Sequence, residues 1–312
     1  MRTIATRGFS VEALQAPRAR RQRERLIALL FKGAAFTSIV ISAAIVLSLV
    51  GKAGAFLSHV DLGALLSPAG WFPRRGAYDL RTIIAGTFVI AGIAMLVAAP
   101  LGLAAAIYLA EYARPRIRKL LKPVIEILAG IPSVVLGFFA ISFIGPEVIK
   151  RIVPEAPFFT MAAAGIAVGL LVTPLVASVA EDAIRAVPHA LREASYGMGA
   201  RKSTTTMKIV VPAAVSGIVA ALILGVSRAI GETMIVAIAA GASGGSPLTL
   251  NPFHQGQTMT AAMTSLAFGS DQVKGAEFTF ESLFFVGLLL FLMTLILNVL
   301  GERFVRRVRQ KY

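Results

Sequence analysis

The chain has 312 residues, of which 56% are hydrophobic and 15% charged; soluble globular domains run at roughly 45–50% apolar, glycine included, and about 25% charged. The excess of apolar side chains points to a membrane protein. Thirty-one Lys plus Arg against sixteen Asp plus Glu give a net charge of +15, a balance that suits nucleic acid only when it lies on a folded soluble face. The absence of cysteine excludes disulfides, thiolate metal sites and cysteine nucleophiles. His59, His189 and His254 are too scattered to form a metal-ligand pattern.

In chain order, residues 1–32 form a basic tail, with RARRQRER at Arg18 to Arg25 read as a solvated segment that touches anionic headgroups and needs no nucleic acid. The first apolar run, Gly33 to Val50, predicts a span over about 33–50. A cleaved signal peptide ending near Ala53-Gly54-Ala55 fits less well, because the apolar region is too long for one. The connection 51–81 follows, with Trp71 and Phe72 read as interfacial aromatics. Thr82 to Ala110 predicts the second span. Ile127 to Pro146 is free of charge, and the third span is placed at about 123–146. Ala156 to Ala180 gives the fourth (156–180), the loop 181–212 follows, and Ala213 to Ala240 gives the fifth (213–240), which carries Arg228 and Glu232. In the long connection 241–281, the run Met259 to Phe268 predicts a short interfacial helix. Ser282 to Gly301 is the sixth span (282–301), and a basic tail, 303–312, ends the chain. The predicted class is all-α, a polytopic membrane protein with six transmembrane helices.

The charges test this count independently, because cytoplasmic loops collect Lys and Arg. Residues 1–32 hold eight basic residues and 111–122, 181–212 and 302–312 hold five each, while the other three connections together hold seven. Basic and non-basic connections alternate strictly, which places both termini in the cytoplasm. Pro100, Pro132 and Pro174 fall inside predicted spans, so neighbouring helices must satisfy the freed carbonyls; that favours a packed bundle. Small residues from Gly165 to Gly169 would allow close helix approach. No internal repeat supports an inverted-repeat carrier.

The loop Glu193 to Pro212 reads EASYGMGARKSTTTMKIVVP. Its pattern predicts a short helix over Pro188 to Tyr196, a turn at Gly197 and Gly199, and a second helix leading to Pro212. An ordinary amphipathic loop is the alternative. The spacing resembles the EAA loop of ATP-binding-cassette importer permeases, with Glu193, Ala194, Gly199, Ile209 and Pro212 in the matching places; Ser195 and Val211 depart from the pattern but are similar in size. This resemblance implies that the loop inserts into a groove on a separate ATPase, as other helix-in-groove contacts do. The chain has no phosphate-binding loop of its own: Gly199-Ala200-Arg201-Lys202-Ser203 fails the required spacing. ATP and Mg would then be used by the partner, with no cofactor on this chain.

Arg228 and Glu232 are four residues apart, so on one helix they would share a face, deep in the bilayer. An arginine at such depth costs roughly 2.5–3.5 kcal/mol on insertion scales. Either the two neutralise each other as an internal ion pair, or they form an anion station. In the second case arginine donates to a tetrahedral oxyanion while the carboxylate accepts from a group that still carries a proton, which favours phosphate over sulfate or molybdate.

LAGIPSVVLGFF at 128–139, SRAIGET at 227–233 and EYA at 111–113 are similar to the phosphate-importer permease of PstC type. The resemblance implies the type I importer transmembrane fold, with Arg228 and Glu232 in phosphate movement. The implied partners are a homologous PstA-type permease, an ATPase dimer, an extracytoplasmic phosphate-binding protein docked on the outer loops, and membrane lipid, in the bacterial inner membrane. The alternatives are an importer permease for another oxyanion or small solute, or a channel or secondary carrier independent of ATP.

Overall fold

The computed structural model describes residues 18–241, 245–267 and 278–308, and the chain divides into two compact units at Gly51. The first unit is the leading part of α1 (Arg18–His59). Its apolar side chains, among them Phe36, Ile39 and Leu47, are exposed. RARRQRER belongs to this helix; the segment expected as a free tail is therefore helical from Arg18 onward, because nothing between it and the apolar run breaks a helix.

The second unit opens with the last turns of α1, where Phe56 is buried against Tyr78 and Phe285. A small hairpin follows, β1 (Trp71–Phe72) antiparallel to β2 (Ala77–Tyr78), and Trp71 also bridges to Ser246. Trp71 is fully buried. The expectation that it rides at the membrane interface is corrected: the hairpin folds it inward against Tyr78, ring centroids 5.9 Å apart.

The bundle is built on two long helices, α2 (Leu80–Ile107), prolonged by a π-helical turn Tyr108–Tyr112, and α6 (Met161–Arg185). Between them lie α3 (Pro115–Ala129) and α4 (Ser133–Phe139), which continues through a π-helical stretch, Ala140–Ile149, into α5 (Lys150–Ile152). The third apolar span is therefore Ser133–Ile152, not 123–146. Pro132 stands at the N-cap of α4 rather than inside a span; it has no N–H to extend α3 and biases Ile131 away from helix. The fourth span begins at Met161, capped by Thr160, whose Oγ1 accepts from the Ala163 amide. The Met161 and Ala162 amides donate to the carbonyls of His254 and Pro252, so the outer connection closes this end of α6.

After α6 come α7 (His189–Gly197), α8 (Lys202–Thr205), a π-helical turn Thr206–Val210 and α9 (Val211–Ala213). Next are α10 (Val215–Ile230) and α11 (Met234–Ala239). The fifth apolar stretch, expected as one helix over 213–240, is interrupted at Gly231–Thr233, and the axis of Lys202–Ala213 meets that of Val215–Ile230 at 69°. The helix α12 (Met259–Ala267) is present, but Met259, Thr260, Ala261 and Ala262 are buried in the bundle rather than lying on an interface; Phe268, the end of the expected run, is outside the described residues. The last span lies within α13 (Thr279–Val308). Among the described residues five helices are long and apolar enough to cross a bilayer, and there are six if the bent pair counts as one span. Exposed Leu96, Phe138 and Leu295 carry the apolar exterior that such a bundle presents to lipid.

Helices α2 and α6 pack closely because α6 offers glycines where α2 offers branched side chains. A Cβ built on Gly165 would stand 2.7 Å from Ile93 Cβ, and one on Gly169 2.7 Å from Val97 Cβ. Gly169→Val should therefore overpack this contact, lowering stability by about 1–3 kcal/mol; thermal unfolding of the detergent-solubilised chain measures it. The same change at the exposed, unopposed Gly33 should leave the midpoint within experimental error.

Candidate functional site: a surface helix and a broken span

The segment singled out by its spacing folds as a short helix and a turn. Pro188 is the N-cap of α7, so the helix runs His189–Gly197, one residue later than the sequence suggests. Gly199 takes φ +77°, the left-handed turn that favours glycine. Glu193, Ala194, Gly199 and Pro212 are exposed and Ile209 is half-buried. Tyr196 and Met198 are exposed beside them, Met198 to 82%. Ser195, where the pattern has its second alanine, is buried, and its hydroxyl is 2.9 Å from Thr205 Oγ1. That hydrogen bond ties α7 to α8 across the turn, a role the comparison of side-chain size did not anticipate.

What holds α7 on the bundle was not found from the sequence. Arg192, one residue before Glu193, turns inward: its guanidinium donates to Glu111 Oε1 at 2.7 and 3.2 Å and to the carbonyls of Val187 and Ile184 at the end of α6. Its side chain is 11% exposed and that of Glu111 is 5%. Glu111 is in the EYA motif at the end of α2, so one arginine joins α2, α6 and α7. The available signal was a carboxylate ending an apolar run; its partner lies 81 residues away.

Beside it, Glu181 of α6 is fully buried and meets three cations: Arg118 at 2.6 Å, Lys122 at 3.3 Å and Arg185 at 3.9 Å. Lys122 also reaches Asp182 at 3.1 Å. Burial works against the charge on Lys122, but the hydrogen bond to Asp182 and the charges of Glu181 and Asp182 outweigh it, so its pKa is raised above the ordinary lysine value. Arg118 and Lys122 are a turn apart on α3, which explains why that segment is amphipathic and packs along α6 rather than opening a span.

The second element is at the break in the fifth apolar stretch. Arg228 lies in the last turn of α10 and Glu232 beyond its end, yet Arg228 Nη2 is 3.2 Å from Glu232 Oε2. The pair thus forms across a helix end rather than along one helical face. The two side chains differ in environment: Glu232 is 3% exposed and Arg228 49%. The Glu232 carboxylate faces the Ile235 amide at the start of α11, and its carbonyl accepts from Thr260 Oγ1 at 2.8 Å. Next to Arg228, Ser227 Oγ donates to Asn298 Oδ1 at 2.7 Å and links α10 to α13.

With this geometry established, residues 98–310 match the family described as binding-protein-dependent transport system inner membrane component. The chain belongs to this family. Its relatives include the probable ABC transporter permease protein YqgH of Bacillus subtilis, 34% identical over 76% of this chain and 77% of that one. The phosphate transport system permease protein PstC 1 of Mycobacterium bovis is 32% identical over 76% and 75%. Among solved structures, a bacterial ABC transporter involved in import of the polysaccharide alginate superposes at a TM-score of 0.63 with 14% identity, over 94% of this chain and all of that one. The MetNI methionine ABC transporter gives 0.52 with 20% identity, over 74% and 94%. At such identities these two show the fold, that of importer transmembrane domains.

In this permease, deleting the Arg192 side chain leaves Glu111 buried without its cation, a loss of about 3–5 kcal/mol for a buried pair. Arg192→Ala should lower the unfolding midpoint markedly, and Glu111→Gln added to it should recover part of the loss. Thermal denaturation of the four proteins in the double-mutant cycle checks this; strictly additive effects would show that the two groups are not coupled.

Proposed function

We propose that this chain is the permease subunit of an ATP-driven importer of inorganic phosphate and that Arg228 and Glu232 form its anion station. The observation that carries the proposal is the asymmetry of this pair: a buried carboxylate fixed at a helix break beside a guanidinium that keeps half its surface open. Free guanidinium N–H groups can donate to the charged oxygens of a tetrahedral anion, while Glu232 can accept from an anion that retains an O–H. Phosphate near neutral pH retains one and sulfate does not. The relatives named as phosphate permeases support the same substrate.

The chain pairs with a homologous permease of PstA type, receives phosphate from an extracytoplasmic binding protein, and borrows force from an ATPase dimer that uses ATP and Mg. Force enters through α7, where Glu193, Ala194, Tyr196 and Met198 offer a small amphipathic surface to a groove. Arg192 carries the push inward, because displacement of α7 must displace the ends of α2 and α6 with it. The alternation of basic and non-basic connections supports both termini lying in the cytoplasm, and the family description and the bacterial relatives support the bacterial inner membrane.

Two variants separate substrate handling from coupling. Arg228→Gln in the assembled transporter should reduce phosphate uptake into proteoliposomes by about two orders of magnitude, the size expected for losing one charged contact, while leaving copurification of the ATPase unchanged. Normal uptake kinetics would reduce the pair to a structural tie, and equal competition by sulfate and phosphate would assign the station to another oxyanion. Glu193→Lys should retain insertion and thermal stability but lose ATPase copurification; unaltered copurification and uptake would remove α7 from the coupling path.

A further inference from the structure

At the end of the bundle where α2 meets α7 is an open cavity of about 800 Å³, lined by the π-helical turn that prolongs α2, one side of α3, the end of α6 and the start of α7. Five cations line it, Arg118, Lys119, Lys122, Arg185 and Arg192, against the carboxylates of Glu111 and Glu126. Internal ion pairs use much of this charge: Arg192 is held by Glu111, and Arg118 and Lys122 by Glu181. Two cations keep spare capacity. Lys119 is exposed and has no ion pair among the described residues, and Arg185, 46% exposed, lies 3.9 Å from a Glu181 oxygen that Arg118 already holds at 2.6 Å. The starts of α3 and α7 also reach the cavity, through Pro115 and His189, and no side chain caps either helix, so their partial positive charge adds to the field.

The shape of the site selects among anions. Its volume belongs to sites that take whole small molecules, and Leu109, Ala110, Ala113 and Pro123 line it along with the cations. The other side of α3 presents Leu120, Val124 and Ile127 outward, exposed to 68%, 45% and 71%. A helix with an apolar side turned out and a basic side turned onto a partly apolar cavity matches a molecule with an anionic head and hydrocarbon tails. We propose that this cavity binds the phosphodiester headgroup of an anionic phospholipid, with Lys119 and Arg185 as its principal charge contacts and the acyl chains lying along the apolar side of α3. The lipid would then sit at the mount of α7, where it would stiffen the connection between α3, α6 and that helix.

The test uses the full chain, delipidated in an uncharged detergent, with short-chain phosphatidylglycerol, short-chain phosphatidylcholine and inorganic phosphate as probes, and native mass spectrometry as the readout. Phosphatidylglycerol should bind in preference to phosphatidylcholine, and the double variant Lys119→Gln/Arg185→Gln should weaken it about 25-fold, since each basic residue near a headgroup contributes roughly fivefold. Lys52→Gln/Lys150→Gln, on α1 and α5 and outside this cavity, should leave binding unchanged, and Lys119→Arg should retain it. Monodisperse elution and an unaltered unfolding midpoint show that the double variant is folded. Equal binding of the two lipids, or wild-type binding by the double variant, overturns the proposal. So does saturable binding of inorganic phosphate that displaces the lipid, which would make the site one for the free anion. Loss of lipid binding in the ATPase-bound complex would mean that a protein partner covers the cavity, and it overturns the proposal too.

Discussion

The basic end of the bundle depends on carboxylates removed from water. Glu181 and Glu111 sit in side-chain environments 0% and 5% exposed, where an unpaired charge is untenable. Each therefore demands a cation, and each demand fixes a neighbouring element. Glu181 draws α3 onto α6 through Arg118 and Lys122, and Glu111 draws α7 under α2 through Arg192. Apolar packing could bring these helices together, but it is non-directional and in lipid gives little preference between helix contacts. Charge pairing supplies the register. The force transfer proposed for α7 needs a helix that does not slide on its support, and the forked guanidinium bond to Glu111, with two further carbonyl contacts, leaves α7 little freedom to do so.

Much of this architecture was legible in the sequence because the bilayer leaves so few options. Apolar runs of sufficient length must be helices, and Lys and Arg must gather on one side. The boundaries that were misplaced share a cause. Absence of charge marks hydrophobicity, not helical continuity, so the run from Ile127 concealed the stop at Pro132, and the run from Ala213 concealed the break at Gly231. Trp71 was misread for a related reason. An aromatic near a membrane boundary is usually an anchor, and here the hairpin with Tyr78 and the bridge to Ser246, 175 positions along the chain, turn it into core.

The site shows the same division. Glu193, Gly199 and Pro212 form a local pattern with local geometry, so spacing alone located the surface helix. Arg192 and Glu181 belong to no local pattern, since the shortest ion pair of each reaches far along the chain, to Glu111 81 positions away and to Arg118 63 positions away. What the sequence did contain was an imbalance: carboxylates ending two apolar runs, each close to a basic connection. Such a carboxylate has either to reach water or to find a cation, and here the second solution builds the site.

The broken fifth span bears on the two readings of Arg228 and Glu232, and it supports the proposed anion station over a purely structural tie. An ion pair whose only task is to neutralise itself gains most when both partners are buried and their remaining donors and acceptors are satisfied within the protein. Glu232 meets this condition, seated at 3% exposure by the Ile235 amide and its own salt bridge. Arg228 does not, with half its side chain open and, among the described residues, a single carboxylate contact at 3.2 Å. A continuous helix would have placed the two residues alike on one face; the interruption after Ile230 instead sinks the carboxylate and leaves the guanidinium accessible. Fixing one charge so that the other faces outward is of little use to a structural tie, and it suits the proposed station for a transient anion: a donor held in place by a partner that does not occupy all of it.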